Sequence, residues 1–149
     1  MKPLAGLDPG RSKCGLVLTD ASGQWIEQAL VLPAETCRQQ LEQWQQQNDL
    51  GGVILGDGTG SSDWQQWLQK RALPVSVVPE AGSTLAARSR YWQLEPARGW
   101  RRLLPQGLRL PPRDYDDVVA QLLLEQHLGR RLTRSQGCTN QNLARTAKA

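Results

Sequence analysis

Leu4-Ala5-Gly6-Leu7-Asp8-Pro9-Gly10-Arg11-Ser12-Lys13-Cys14-Gly15-Leu16-Val17-Leu18 decides how this chain folds: a short apolar run stops at one carboxylate and a glycine turn, and a second apolar run follows. A carboxylate desolvated at the end of a central strand needs a metal ion, a cation or a hydrogen-bond donor beside it. The alternative is an Asp8 that only caps its own turn. Pro9 to Lys13 has hairpin length, with Gly10 available for positive φ. Asp8 is therefore expected at an edge of a sheet.

Leu4 to Asp8, Gly15 to Thr19 and Trp25 to Leu32 read as strands, the latter two joined by the turn Asp20-Ala21-Ser22-Gly23, so the chain opens with an antiparallel meander. From Pro33 the period becomes helical, with Cys37, Leu41 and Trp44 on one side of a Gln-rich helix that ends at Asn48-Asp49. Val53-Ile54-Leu55 is a short buried strand running into Gly56-Asp57-Gly58-Thr59-Gly60. Trp64, Trp67 and Leu68 place a second helix, and Pro74 to Pro79 a fifth strand ending at Glu80. Ser83 to Trp92 predicts a third helix with Ser83 or Thr84 as its N-cap. Pro96 to Arg113 holds four of the nine prolines and no period, which predicts an extended basic loop. Asp114 to Leu128, with Val118, Val119, Leu122 and Leu123 in one stripe, is the strongest helix. The expectation is an α/β domain over residues 1–131: a mixed five-stranded sheet, meander first and βαβ units after it, with helices packed on it. Residues 132–149, polar and unpatterned, are expected as a basic, disordered tail.

At 149 residues the chain has the size of one domain, and no apolar run approaches the roughly 18 residues of a membrane span. A cytoplasmic protein without a signal peptide is the expectation. Cys14, Cys37 and Cys138 are odd in number and far apart, which argues against a disulfide framework or a CxxC metal site. Cys14 and Cys37 are expected buried as small hydrophobes. A single His127 excludes a zinc site of several histidines and leaves oxygen ligands for any metal. Residues 1–85 carry 6 Lys+Arg against 9 Asp+Glu, a net of −3, whereas residues 86–149 carry 12 against 5, a net of +7. Arg88, Arg90, Arg98, Arg101, Arg102 and Arg109 crowd one segment, and Arg130, Arg131 and Arg134 follow later. Guanidinium density of this kind suits a phosphate backbone; a solvated surface is the alternative. Trp100, among those arginines, is placed to stack on an unpaired base or to pack within the loop, while Trp92 is expected in the core.

Three carboxylates occupy comparable places: Asp8 ends the first strand, Glu80 ends the fifth, and Asp116 lies in the first turn of the last helix. Asp116 precedes Val119, Ala120 and Leu123 by helical steps, which turns it toward the sheet, with Asp117 about 100° around and expected toward solvent. Asp57 is a fourth acid near the same edge; for Asp57, Asp114 and Asp117, turn and cap roles stand beside catalytic ones. Converging carboxylates stay charged together only with cations between them. A pair of Mg²⁺ or Mn²⁺ ions fits, because such ions take oxygen ligands and serve phosphodiester cleavage.

Leu7-Asp8-Pro9-Gly10 with Gly15 and its apolar strand, the Glu80 to Thr84 segment and the Asp116 helix resemble the RNase H-like nucleases, specifically the RuvC-like group and its YqgF (RuvX) branch, over about residues 3 to 128. The resemblance implies an RNase H-like fold and an endonuclease with Asp8, Glu80 and Asp116 as catalytic metal ligands. It also implies a structured nucleic acid as partner, either precursor 16S rRNA trimmed at its 5′ end or a Holliday junction, and a monomer or homodimer. Ser83 and Thr84 match the Ser-Thr that follows the branch's Glu. Pro79-Glu80-Ala81-Gly82 departs from the branch's Asp-Glu-Arg, and Gly56-Asp57-Gly58-Thr59 from its Gly-Leu-Pro, so that Asp57 takes the place of the central-strand acid of RuvC-like resolvases. Two rivals remain: a noncatalytic RNase H-like module that binds nucleic acid through the basic segment, and a lobe similar to actin-like or sugar-kinase ATPases, of which 149 residues build only one.

A shape-reading nuclease holds its substrate by phosphate contacts away from its acids. Replacing Arg98, Arg101 and Arg102 together with Ala is expected to weaken binding across sequences and make log affinity against log salt shallower by about 2 to 3. Fluorescence anisotropy over a salt series reads it, and an unchanged slope moves the interface elsewhere.

Overall fold

The computed structural model describes residues 2–48, 50–80, 83–95, 102–105 and 114–142, with the backbone alone at 48, 83–85, 88 and 139–142. The meander forms as read: β1 (Leu4–Asp8), β2 (Lys13–Thr19) and β3 (Trp25–Pro33) pair antiparallel, Leu7 opposite Leu16 and Gly15 opposite Val31. Then α1 (Ala34–Asn48), β4 (Gly52–Gly56), α2 (Ser61–Lys70) and β5 (Val75–Val78) follow, with β4 parallel to β1 and β5 parallel to β4. Last come α3 (Ser83–Leu94), α4 (Asp116–Leu128) and β6 (Thr133–Asn142), giving a sheet of order β5-β4-β1-β2-β3-β6. This is the mixed α/β sheet that the sequence predicts, with six strands in place of five. Among the described residues no helix is long and apolar enough to cross a membrane.

Alternation along the strands assigns the two faces. Leu7, Cys14, Leu16 and Leu18 point into one core with Cys37, Leu41 and Trp44 of α1 and Trp64 and Leu68 of α2. Cys14 and Cys37 are buried there as expected, and their thiols are free. Val17, Ile26, Ala29 and Ile54 point the other way, against Ala120, Leu123 and Leu124 of α4. Outside α4, Ala87, Tyr91 and the expected core residue Trp92 of α3 pack on Val118 and Val119.

Gly6 and Gly15 lie on the α4 face, and a Cβ at position 6 would stand 2.6 Å from the Ala120 carbonyl oxygen. A Cβ at position 15 would collide with the Asp116 carbonyl. The helix backbone thus rests directly on β1 and β2. Gly10 is not among the positive-φ glycines, which are Gly23, Gly60 and Gly129 in the described residues. Its small size serves a different need, because a Cβ there would strike the Lys13 carbonyl across the turn.

Two further expectations need correction. Residues 133–142, read as disordered tail, form β6, parallel to β3 with Trp25 opposite Thr133 and Ala29 opposite Asn140. Edge pairing uses backbone groups that every residue has, so a polar strand such as Thr133–Asn142 carries no alternation to betray it. Residues 143–149 lie outside the described residues.

Asp117, read as solvent-facing, is fully buried. With Gln121 and Glu125 it makes a polar stripe at i, i+4, i+8 on α4. Arg134 of β6 donates to Asp117 Oδ2 at 2.9 Å and to Gln121 Oε1 at 2.9 Å. The Leu132 amide donates to Glu125 Oε2 at 2.7 Å, and Gln121 Nε2 donates to the Leu132 carbonyl at 3.2 Å. Arg90 of α3 donates to Glu125 Oε2 and to the same carbonyl, each at 3.1 Å.

Losing one member of a buried ion pair strands the other's charge. Arg134→Met is expected to cost about 3–5 kcal/mol in urea denaturation, and adding Asp117→Leu to recover most of that loss. A loss within the error of the extrapolation would mean that β6 does not hold α4.

Candidate active site

The C-terminal end of β1 delivers Asp8 onto the α4 face, two residues after Gly6 and opposite Gly15 in register. The neighbouring strand β4 ends at Gly56, and its continuation meets the end of β5: the Asp57 amide donates to the Val78 carbonyl at 3.1 Å. The Glu80 amide donates to Asp57 Oδ1 at 2.9 Å. Asp57, exposed, thus brackets the loop that carries Glu80, the turn role rather than the direct one. The Glu80 side chain lies across Gly56 and Gly58, which leave no room for a Cβ beneath it. Two glycines that read as a loop signature are here the floor under a carboxylate.

The carboxyl groups of Asp8 and Glu80 come within hydrogen-bonding distance of each other. Both are acceptors when ionised, so a proton or a cation must lie between them. Burial above all, then the facing Glu80, and then the charge of Asp116 push the Asp8 carboxyl up to about 9. Glu80 Oε1 is buried without a donor among the described residues, the mark of a missing proton or cation. Asp116, half-buried on the first turn of α4, is pushed up by burial and by the charges of Asp114 and Asp117, against the pull of Lys13. Lys13 Nζ itself is held by Asp114 Oδ2 at 2.6 Å.

Asp8, Glu80 and Asp116, the three acids expected as ligands, thus share one end of the sheet. Their side chains do not form a closed cage: among the described residues no group of three His, Cys, Asp or Glu is set to hold a metal ion. The chemistry of the pair nevertheless fits a hard divalent cation, since two facing carboxyls offer oxygen ligands and have no paired cation among the described residues.

The expected nucleic-acid residues fare differently. Arg90 is committed to Glu125 and Leu132, its side chain 13% exposed, so it is a strut between α3, α4 and β6 and not a phosphate contact. Arg102 is exposed. The side chain of Arg88 and all of Arg98, Trp100, Arg101 and Arg109 lie outside the described residues. Sequence reasoning missed Glu125, read Gln121 as a helix-surface or satisfied polar position and counted Arg134 among the late basic residues; the signal joining Asp117, Gln121 and Glu125 is their i, i+4, i+8 spacing along an otherwise apolar helix.

No family model matches the chain. No curated protein matches it either. Among solved structures it is similar to RuvC of T. thermophilus in complex with a Holliday junction substrate, at 14% identity over 87% of this chain and 97% of that one, with a TM-score of 0.48. A second structure of RuvC from Thermus thermophilus gives 14% identity, 85% and 96% coverage and a TM-score of 0.46. A ROK hexokinase from Thermus thermophilus gives 18% identity over 60% of this chain and 37% of that one, with a TM-score of 0.40. What this chain does has to be read from its own carboxylates.

The Asp8 shift has a sign that can be measured. Its ordinary value is 3.8 and its folded value about 9. Between those values the folded chain holds a proton that the unfolded chain has released, so stability is complete at low pH and falls as pH rises. In EDTA, Asp8→Asn is expected to gain on wild type in melting temperature steadily from about pH 5 to about pH 8. Mg²⁺ or Mn²⁺ should close the gap by raising wild type alone, and a gap that ignores both pH and metal contradicts the buried pair.

Proposed function

We propose that this chain is a divalent-metal-dependent phosphodiester hydrolase, an endonuclease of the RuvC-like kind and its YqgF branch, acting on structured nucleic acid. The observation that carries the reading is the Asp8 and Glu80 pair: two carboxyls brought face to face at the end of a central strand, with Asp116 in electrostatic reach and no paired cation among the described residues. Asp8, Glu80 and Asp116 would hold Mg²⁺ or Mn²⁺, two ions by the number of carboxylates. The bound metal supplies Lewis acidity and a nucleophilic water at neutral pH.

The chain's own residues prepare that chemistry. Asp57 fixes the backbone at Glu80, Gly56 and Gly58 clear the space for its side chain, and Gly15 lets the first turn of α4 bring Asp116 to the strand end. The basic half supplies the phosphate contacts, with precursor rRNA or a four-way DNA junction as substrate. The protein works in the cytoplasm as a monomer or homodimer.

A noncatalytic nucleic-acid-binding module is the second reading. It is favoured by the open arrangement of the three acids, which form no ready cage among the described residues.

Labelled precursor rRNA and a synthetic four-way junction, each incubated with the purified chain in Mg²⁺, Mn²⁺ or EDTA, separate the two. Cleavage with either metal and none in EDTA is expected. Asp8→Asn and Glu80→Gln should each abolish it while binding persists, and Asp116→Asn should cost several orders of magnitude. Asp117→Asn should act on stability, leaving the rate per folded molecule near wild type. Binding without cleavage under every metal condition establishes the module instead.

A further inference from the structure

At the far end of the sheet from the carboxylates, Trp25 opens β3 with 45% of its surface exposed. With Gln24, Arg130, Arg131 and Thr133 it lines an open cavity of about 280 Å³. The backbone that carries the indole is fixed. The Asp20 amide donates to the Trp25 carbonyl at 2.9 Å, the Trp25 amide donates to Asp20 Oδ1 at 3.3 Å, and Trp25 pairs with Thr133 of β6. Asp20, the nearby acid, is occupied within this hairpin, where its carboxylate also accepts from the Ser22 hydroxyl and the Gln24 amide.

Two cations share the cavity with the indole. Arg130 donates through one nitrogen to the Gly23 carbonyl, which aims the guanidinium and leaves further N–H groups to bind. Arg131 is exposed and has no carboxylate partner among the described residues. An exposed aromatic face on a fixed backbone, sharing one cavity with two guanidiniums, matches the two halves of a nucleotide, a base that stacks and phosphates that pair with arginine.

We infer that Trp25, Arg130 and Arg131 form a second nucleic-acid contact, a stacking seat for one unpaired base and its flanking phosphates. Thr19 of β2 faces Ile26 while Gly15 faces Asp8, so Trp25 lies about 15 Å along the strands from the carboxylate end. The seat therefore holds a single-stranded flank of the substrate and not the bond that is cut. The choice of nucleic acid as ligand rests on the nuclease reading, and the geometry adds where an unpaired strand is gripped.

The test uses a fluorescein-labelled oligothymidylate of about a dozen nucleotides and an abasic strand of equal length and charge, read by anisotropy in EDTA. Wild type should prefer the base-bearing strand. Trp25→Ala should lose roughly 5- to 100-fold on that strand and little on the abasic one, with Trp25→Phe intermediate. Arg131→Ala should weaken both and lower the salt slope by about 0.7. Thermal melts confirm that the variants fold. Equal affinity of Trp25→Ala and wild type, or equal losses on both strands, overturns the seat. Wild type that cleaves a junction or rRNA yet does not bind the oligothymidylate also overturns it and leaves the nuclease reading standing. The expected strand and variant pattern without cleavage supports the seat and overturns the nuclease reading, and a chain that does neither overturns both.

Discussion

The close approach of the α4 backbone to β1 and β2 is the constraint on which the rest of this molecule depends. It exists because positions 6 and 15 have no Cβ: the Ala120 carbonyl lies over Gly6 and the Asp116 carbonyl over Gly15. In an interior packed to crystal density, a methyl group at either position would have to displace the helix. Asp8 shares the α4 face with Gly6 and sits across from Gly15, so the first turn of α4 comes down beside it. The site is in this sense a consequence of helix-to-sheet packing.

That packing concentrates negative charge where water is scarce. Asp8 and Glu80 face each other, and Asp116 approaches from the helix N-terminus, whose dipole offers partial compensation. Lys13 is bound to Asp114 at the rim and eases the charge of Asp116 only from a distance. Glu80 is nonetheless held in place, with Asp57 accepting from its amide and glycines clearing the floor beneath the side chain. Carboxyls held together against their own electrostatics have strongly shifted protonation, as the raised Asp8 shows.

The opposite flank of α4 solves a related problem by pairing. Asp117, Gln121 and Glu125 are buried, and each is satisfied by Arg134, Arg90 or the backbone of Leu132. Such a network is favourable only when every member is in place. It therefore couples α3, α4 and β6, and it gives a weak, polar edge strand an anchor that its own composition does not supply.

Local pattern was enough for the meander, α1 to α4, the buried strands and the three acids at element ends, because strand alternation, helical period and glycine punctuation are written within a few residues of each position. Leu7-Asp8-Pro9-Gly10 alone was enough to mark a carboxylate at a strand end. Tertiary structure decided the rest. Gly10 serves a close approach rather than a positive φ, Asp117 is buried rather than solvated, Arg90 braces the core rather than binding phosphate, and Thr133–Asn142 is a strand rather than a tail. Each of these depends on a partner distant in the chain: a carbonyl across a turn, Arg134 for Asp117, Glu125 for Arg90, the free edge of β3 for β6. A polar side chain or a polar strand has no fixed environment until folding supplies the group that satisfies it.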